Sequence, residues 1–248
     1  MIVPVTSKPS RRPRNSLTPD AIVAAAFAVT ERSGSAGLTF GAIGAELGAH
    51  PTALYRHFRD KDELMLGLVD ALHAEVLAEL GPPLADWRAE LESLAGRTHA
   101  VFLRHPAIAQ HSAVRTARRE HEFTLVNRLL GALRRSGLAD AEVALYYRVL
   151  GDAVLSYSAM DAALAALDPD VRAADLRAWK VEYQAQDPAR HPHLAAYSHL
   201  FPALDDPANY ATLIELLLDA IEARARRARA ARPEPENELT PESTLSRD

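Results

Sequence analysis

Between Leu38 and Leu64 the chain reads LTFGAIGAELGAHPTALYRHFRDKDEL, and no other stretch leaves its backbone fewer choices. Thr39 offers a hydroxyl that can cap a helix in which Phe40, Ile43 and Leu47 recur at helical spacing. Gly48 then supplies the left-handed residue that turns the chain sharply. Pro51 opens a very short third helix with Leu54 and Phe58, four residues apart, on its inward face. Asp60 and Glu63 form a capping box that starts a fourth helix running to about Leu80. Inside the second helix, Gly41 and Gly44 each cost roughly 1 kcal/mol relative to Ala, so a close helix contact is expected at both.

A helix, a glycine turn and a short helix crossing the first make the helix-turn-helix layout, in which the second helix enters the major groove of DNA. With Leu54 and Phe58 turned inward, Thr52, Ala53, Arg56 and His57 fall on or beside the opposite face. Arginine there can bond guanine edges or phosphates, and small residues can approach thymine methyls. Tyr55 can set its hydroxyl on a phosphate, while Lys61 and the first amides of the fourth helix add a charge and donors beside the same face. The competing reading of Tyr55 and His57 is packing against the first or fourth helix. Charge supports a nucleic-acid partner despite a net −5: the first 61 residues hold eight basic and four acidic side chains, a net +4, which leaves −9 for the rest.

The remainder reads as helix throughout, because Ala, Leu, Arg and Glu dominate and no stretch sustains alternation with period two. Thr18, Pro19 and Asp20 announce the first helix, with Ile22, Ala25, Ala26 and Val29 as its apolar stripe and Gly34 and Gly37 near its end. After Gly81-Pro82-Pro83, helices are expected at Trp87–Arg104, Ala107–Val114, Arg118–Arg135, Asp140–Leu167, Val171–Gln184 and Ala208–Ala230, with a proline-punctuated segment from Asp187 to Pro207. The all-α chain then divides into a basic flexible arm (1–17), a DNA-binding domain (18–64), a larger helical domain (65–231) and a disordered tail (232–248). With no cysteine, no secretory pattern and no apolar run longer than Ala21–Val29, the expected location is the cytoplasm.

The stretch from Leu38 to Leu64 resembles the DNA-binding domain of the tetracycline-repressor (TetR) family of bacterial transcription regulators. Thr39 at the cap, "AELG" before the turn, "LYRHF" in the reading helix and the Lys-Asp-Glu-Leu start of the fourth helix carry the resemblance. It implies that His50, Pro51, Thr52, Ala53, Tyr55, Arg56, His57 and Lys61 face DNA and that Thr39 touches a phosphate. Ala49 and His50 depart from the family pattern, which has a β-branched residue and then a Ser, Thr or Asp cap. Two readings of His50 stand side by side: it is freed for the operator, or Pro51 makes a strong cap unnecessary.

The resemblance further implies a homodimer and a small-molecule cavity in the larger domain. The dimer also follows from the residues. Asp140–Leu167 and Ala208–Ala230 are apolar nearly all round, and pairing them with their symmetry mates in a four-helix bundle buries the surplus. Side chains with polar tips among apolar neighbours are the cavity candidates: His99, Phe102, His105, His111, Tyr147, Tyr157, Trp179 and Tyr183. The implied function is a ligand-released repressor on a palindromic operator, or an activator if the promoter lies differently. The motifs of an enzyme are missing, among them a Gly-x-Ser-x-Gly elbow, a P-loop, a dinucleotide fingerprint and His-Glu-x-x-His. Asp70 with His73 is a lone relative of the paired Glu-x-x-His of di-metal bundles, so no catalytic residue, metal or cofactor is expected.

Overall fold

The computed structural model describes residues 17–203 and 206–230, so all but Leu17 of the basic arm, and the whole 232–248 tail, lie outside the described residues. Helices α1 (Pro19–Gly37), α2 (Phe40–Leu47) and α3 (Pro51–Leu54) form a small head on α4 (Lys61–Glu79). The body comprises α5 (Trp87–Arg104), α6 (Pro106–Ser112), α7 (Glu120–Arg135), α8 (Asp140–Ala165) and α11 (Asp206–Ala230). Among the described residues there is no strand.

The head is assembled by the caps expected of it. Thr18 accepts from the Ala21 amide and Thr39 from the Ala42 amide, each at 3.1 Å. Gly48 sits at φ 61°, ψ 31° and ends α2. Asp60 accepts from the Glu63 amide at 2.8 Å. Glu63 answers on the Arg59 amide at 2.7 Å, one residue earlier than in a regular capping box. Leu54, Ile43, Ile22, Leu38 and Phe58 close the core beneath these turns. A methyl group on Gly44 would stand 2.7 Å from the Ala49 carbonyl oxygen, so the tight turn requires glycine there. Gly41 has no such neighbour, and the close contact expected at that position is not formed.

Several boundaries move. The third helix is only Pro51–Leu54, after which Tyr55–His57 continue as turns. The segment expected at Ala107–Val114 is Pro106–Ser112, and α8 stops at Ala165, its end followed by Asp168, which caps the next helix through the Asp170 amide. The segment expected at Val171–Gln184 is α9 (Pro169–Arg177), prolonged by a π turn over Ala178–Glu182. Within the proline-rich segment lie α10 (Pro192–Tyr197) and a 3₁₀ stretch (Ser198–Ala203), since Pro192 suits a first helical position.

α8 lies at the centre of the body, against α5, α6, α7 and α11. Arg128 on α7 and Glu90 on α5 make a buried pair at 2.7 Å, and the same carboxylate accepts from the Leu84 amide. Arg88 joins α5 to Asp219 on α11 at 2.8 Å, and Arg224 joins α11 to Glu142 on α8 at 2.6 Å. Part of the apolar surface of α8 and α11 remains outside: Leu145, Val149, Met160 and Leu216 are exposed, the last by 63%.

Candidate nucleic-acid interface

The reading helix is held from beneath and left free above. Leu54 is fully buried, and Phe58 is 3% exposed, its ring against Gly67 of α4. On the other side Thr52, Tyr55 and Arg56 are exposed, while Pro51, Ala53 and His57 are half-buried. Arg56 makes no ion pair among the described residues, unlike its neighbour Arg59, which lies on Asp60 at 2.9 Å. Tyr55 is 55% exposed, and its ring rests on Phe40 of α2, with centroids 4.4 Å apart. It therefore packs on the second helix, and the contact steadies an outward phenol.

His50 is the cap of α3. Its Nδ1 accepts from the Thr52 amide at 3.3 Å and lies 2.5 Å from the Thr52 hydroxyl. With the amide donating to Nδ1, the neutral ring carries its proton on Nε2 and keeps that donor for an outside acceptor. Capping thus occupies one nitrogen of the ring and leaves the other unused among the described residues. Thr39, at the start of α2, is exposed. Lys61 is exposed as well, but its ammonium donates to the Ser35 carbonyl at 3.1 Å and ties the start of α4 to the end of α1.

Head and body meet along α4 and α6. At one end the guanidinium of Arg115, just after α6, grips Asp62 in the first turn of α4 with two bonds of 2.5 and 2.7 Å. That contact holds the Asp62 carboxyl below the usual carboxylate range. At the other end His105 Nε2 meets Glu75 of α4 at 2.9 Å, and the ring stands edge-on to Phe27 of α1.

Between α4, α5, α6, α7 and α8 lies a cavity of about 420 Å³, within the range of small-molecule sites. Its wall is mostly aliphatic, with Leu91, Leu94, Leu129, Leu150 and Val154 among its residues. Exposed Val114, Phe123, Arg148 and Asp152 mark its mouth. Arg115 belongs to this wall as well as to the grip on Asp62.

Of the side chains selected from the sequence as cavity candidates, Tyr147 lines this space. Phe102 is fully buried core. His99 is bonded to Asp161 at 2.8 Å and stacked on Tyr210, against which Tyr157 also leans. His105 belongs to the junction with α4, and His111 lies near Lys61 and Arg115; burial, then these two cations, hold its imidazole below the ordinary histidine range. Trp179, Tyr183 and Phe201 form an aromatic cluster among α9, its π turn and the 3₁₀ stretch, away from the cavity. Aromatic character signalled packing, while the cavity wall is aliphatic. His73, noted in the sequence only as the partner of Asp70, and Ser112, which was not selected, do line it. The available signal was His73 on an α4 whose neighbours Leu68, Val69, Leu72 and Val76 are all buried. Asp70, its partner in the lone Asp-x-x-His, instead accepts from His121 and the Glu122 amide at the start of α7. Among the described residues no group of His, Asp or Glu is arranged to hold a metal ion.

Comparison with known proteins agrees with both halves of this geometry. Residues 22–68 match the family described as bacterial regulatory proteins, tetR family, and residues 81–225 match the tetracyclin repressor-like C-terminal domain. The HTH-type transcriptional repressor DrrR1 of Streptomyces coeruleorubidus is 34% identical over 138 residues, which span 55% of this chain and half the length of DrrR1. The HTH-type transcriptional repressor Rv1353c of Mycobacterium tuberculosis is 27% identical over 86% of this chain and 83% of its own. Among solved structures, the transcriptional regulator SCO7222, a TetR from Streptomyces coelicolor, superposes with a TM-score of 0.71 at 26% identity, covering 85% of this chain and all of that one. ActR of the same organism, solved with actinorhodin, shares the fold with a TM-score of 0.75 at 21% identity, over 84% and 98% of the two chains. Matched in its head and in its body, the chain belongs to the tetR family of bacterial regulatory proteins.

Proposed function

We propose that this protein is a dimeric transcriptional repressor that reads a palindromic operator and is released by a small molecule held in the body cavity. The observation that carries this reading is Arg115, a cavity-wall residue whose guanidinium grips the first turn of the helix on which the reading head sits. A ligand that displaces Arg115, or moves the end of α6, changes the seat of the head. Operator DNA and ligand then oppose each other through one coupling free energy. Curated relatives named as transcriptional repressors support the direction of control.

In the head, Thr52, Ala53, Arg56 and the His50 Nε2 donor are placed for base edges, with Pro51 and His57 beside them. Tyr55, Thr39 and Lys61 are placed for phosphates. The exposed apolar strip of α8 and α11 supports the dimer through residues near 140–167 and 208–230. Two-fold pairing sets the reading helices about 34–36 Å apart, one turn of DNA. The test is footprinting upstream of the protein's own reading frame, then titration of that fragment. Replacing Tyr55 and Arg56 together by Ala is expected to abolish protection while leaving the helical fold intact. Full operator binding by that variant overturns the assignment of the reading face.

A further inference from the structure

Deep in the cavity wall, two polar side chains lack what buried polar groups ordinarily have. His73 on α4 is 6% exposed and Ser112 at the end of α6 is 2% exposed. The Nδ1 of His73 and the Oγ of Ser112 are buried without a hydrogen-bond partner among the described residues. Leaving such groups unpaired costs folding free energy, and most buried polar atoms in proteins are paired. Thr98, also in the wall, differs: its hydroxyl donates to the Leu94 carbonyl at 2.8 Å.

The charged members of the wall are already committed. Arg115 is held by Asp62, and Arg148 by Asp152 at 2.7 Å. Glu122 accepts from the amides of Ala117 and Arg118. Burial, which outweighs the nearby Glu122 and Asp70, also keeps the His73 imidazole below the ordinary histidine range, so it faces the cavity uncharged. The wall thus offers hydrogen bonds and no free cation, while the Glu122 carboxylate keeps its charge because its partners are neutral amides.

We infer that the cavity takes a mainly apolar molecule without an acidic group, bearing a hydroxyl or carbonyl that pairs with His73 and Ser112. The inference rests on the reading of this cavity as the effector site and specifies the chemistry of the effector. A neutral imidazole nitrogen donates or accepts according to tautomer, and a serine hydroxyl does both, so these two residues accept either polarity of partner. A carboxylate ligand finds no free cation, meets the Glu122 carboxylate and loses its hydration on entering. His73 lies on α4 and Ser112 at the end of α6, the two regions that Asp62 and Arg115 connect nearer the head.

The experiment compares three probes of one shape, naphthalene, 2-naphthol and 2-naphthoate, on the full-length protein at neutral pH by fluorescence titration or calorimetry. 2-Naphthol is expected to bind about fivefold more tightly than naphthalene, as one net hydrogen bond provides, and 2-naphthoate more weakly than either. His73→Leu and Ser112→Ala together are expected to erase the advantage of 2-naphthol while naphthalene still binds, which shows an intact cavity. His73→Gln, which restores a polar end, is expected to recover part of it. The inference is overturned if naphthalene equals 2-naphthol, if 2-naphthoate binds best, if no probe binds, or if the preference survives the double substitution. Operator release is measured separately: a probe that binds as expected but leaves operator affinity unchanged refutes the effector reading and not the cavity chemistry.

Discussion

The reading head and the body cavity both carry polar side chains without protein partners, and the two sets differ in cost. Arg56, exposed on the head, remains hydrated, so its freedom costs the fold almost nothing and stays available to DNA. His73 and Ser112, buried in the cavity wall, have given up water without a replacement. A third kind, Glu90, is 1% exposed yet bonded to Arg128 and to the Leu84 amide. His105 Nδ1 and Ser158 Oγ are also buried without a hydrogen-bond partner among the described residues but lie outside the cavity wall, so what sets His73 and Ser112 apart is that they are unpaired and line a space large enough for a ligand.

The sharpest way to break this ordering is at Glu90. Glu90→Leu leaves the Arg128 guanidinium, only partly buried, with the Gly81 carbonyl as its remaining partner, and a loss of about 1–3 kcal/mol in urea denaturation is expected. A loss below 1 kcal/mol would remove the distinction between paired and unpaired buried groups. His73→Leu should act in the opposite direction. It removes an unpaired buried polar atom and stabilises the ligand-free protein by about 1 kcal/mol. Because burial lowers the folded pKa of His73, folding is favoured fully above the ordinary histidine pKa of about 6.5 and less so as pH falls below it. The unfolded chain binds a proton there that the folded one refuses. The stability difference between His73→Leu and the wild type should therefore widen toward acid, and a difference independent of pH between 7.5 and 5.5 would contradict the neutral buried imidazole. The smallest effect belongs to the head: Arg56→Ala should change stability by less than about 0.5 kcal/mol, whereas operator affinity falls by about 1–3 kcal/mol in a gel-shift titration.

Legibility from sequence followed the range of the interactions. Thr18, Thr39, Gly48 and Asp60 act on backbone groups within four residues, so each was readable as a local signal and each occupies its expected cap. Leu54 and Phe58, at helical spacing, likewise lie on the buried side. Trp87–Arg104 has the same ends in sequence and in structure, with Asp86 capping through the Ala89 amide. The cavity was scarcely readable, because its wall draws on five helices distant in sequence, and helical periodicity separates inside from outside without locating a gap among inward residues. His99 and Tyr157 were selected as cavity candidates for their polar tips, but the packing on Tyr210 that occupies them is set by α11 approaching α5 and α8. Gly41 teaches a similar limit, since a glycine within a helix suggests a close neighbour and here has none.

The bond from Lys61 to the Ser35 carbonyl also governs how far a disturbance in the body can be amplified. It adds to the packing of Phe58 and Leu54 against α4, which seats the three head helices so that they and α4 turn together as one lever. The Asp62 and Glu75 anchorages lie thirteen residues apart on α4, or about 20 Å at 1.5 Å per residue. A tilt of about 6° about the Glu75 end carries the Asp62 end roughly 2 Å sideways over that length. In a two-fold pair the opposite displacements add, so the span between reading helices changes by about 4 Å, more than an ordinary hydrogen-bond length, while each head keeps its own shape.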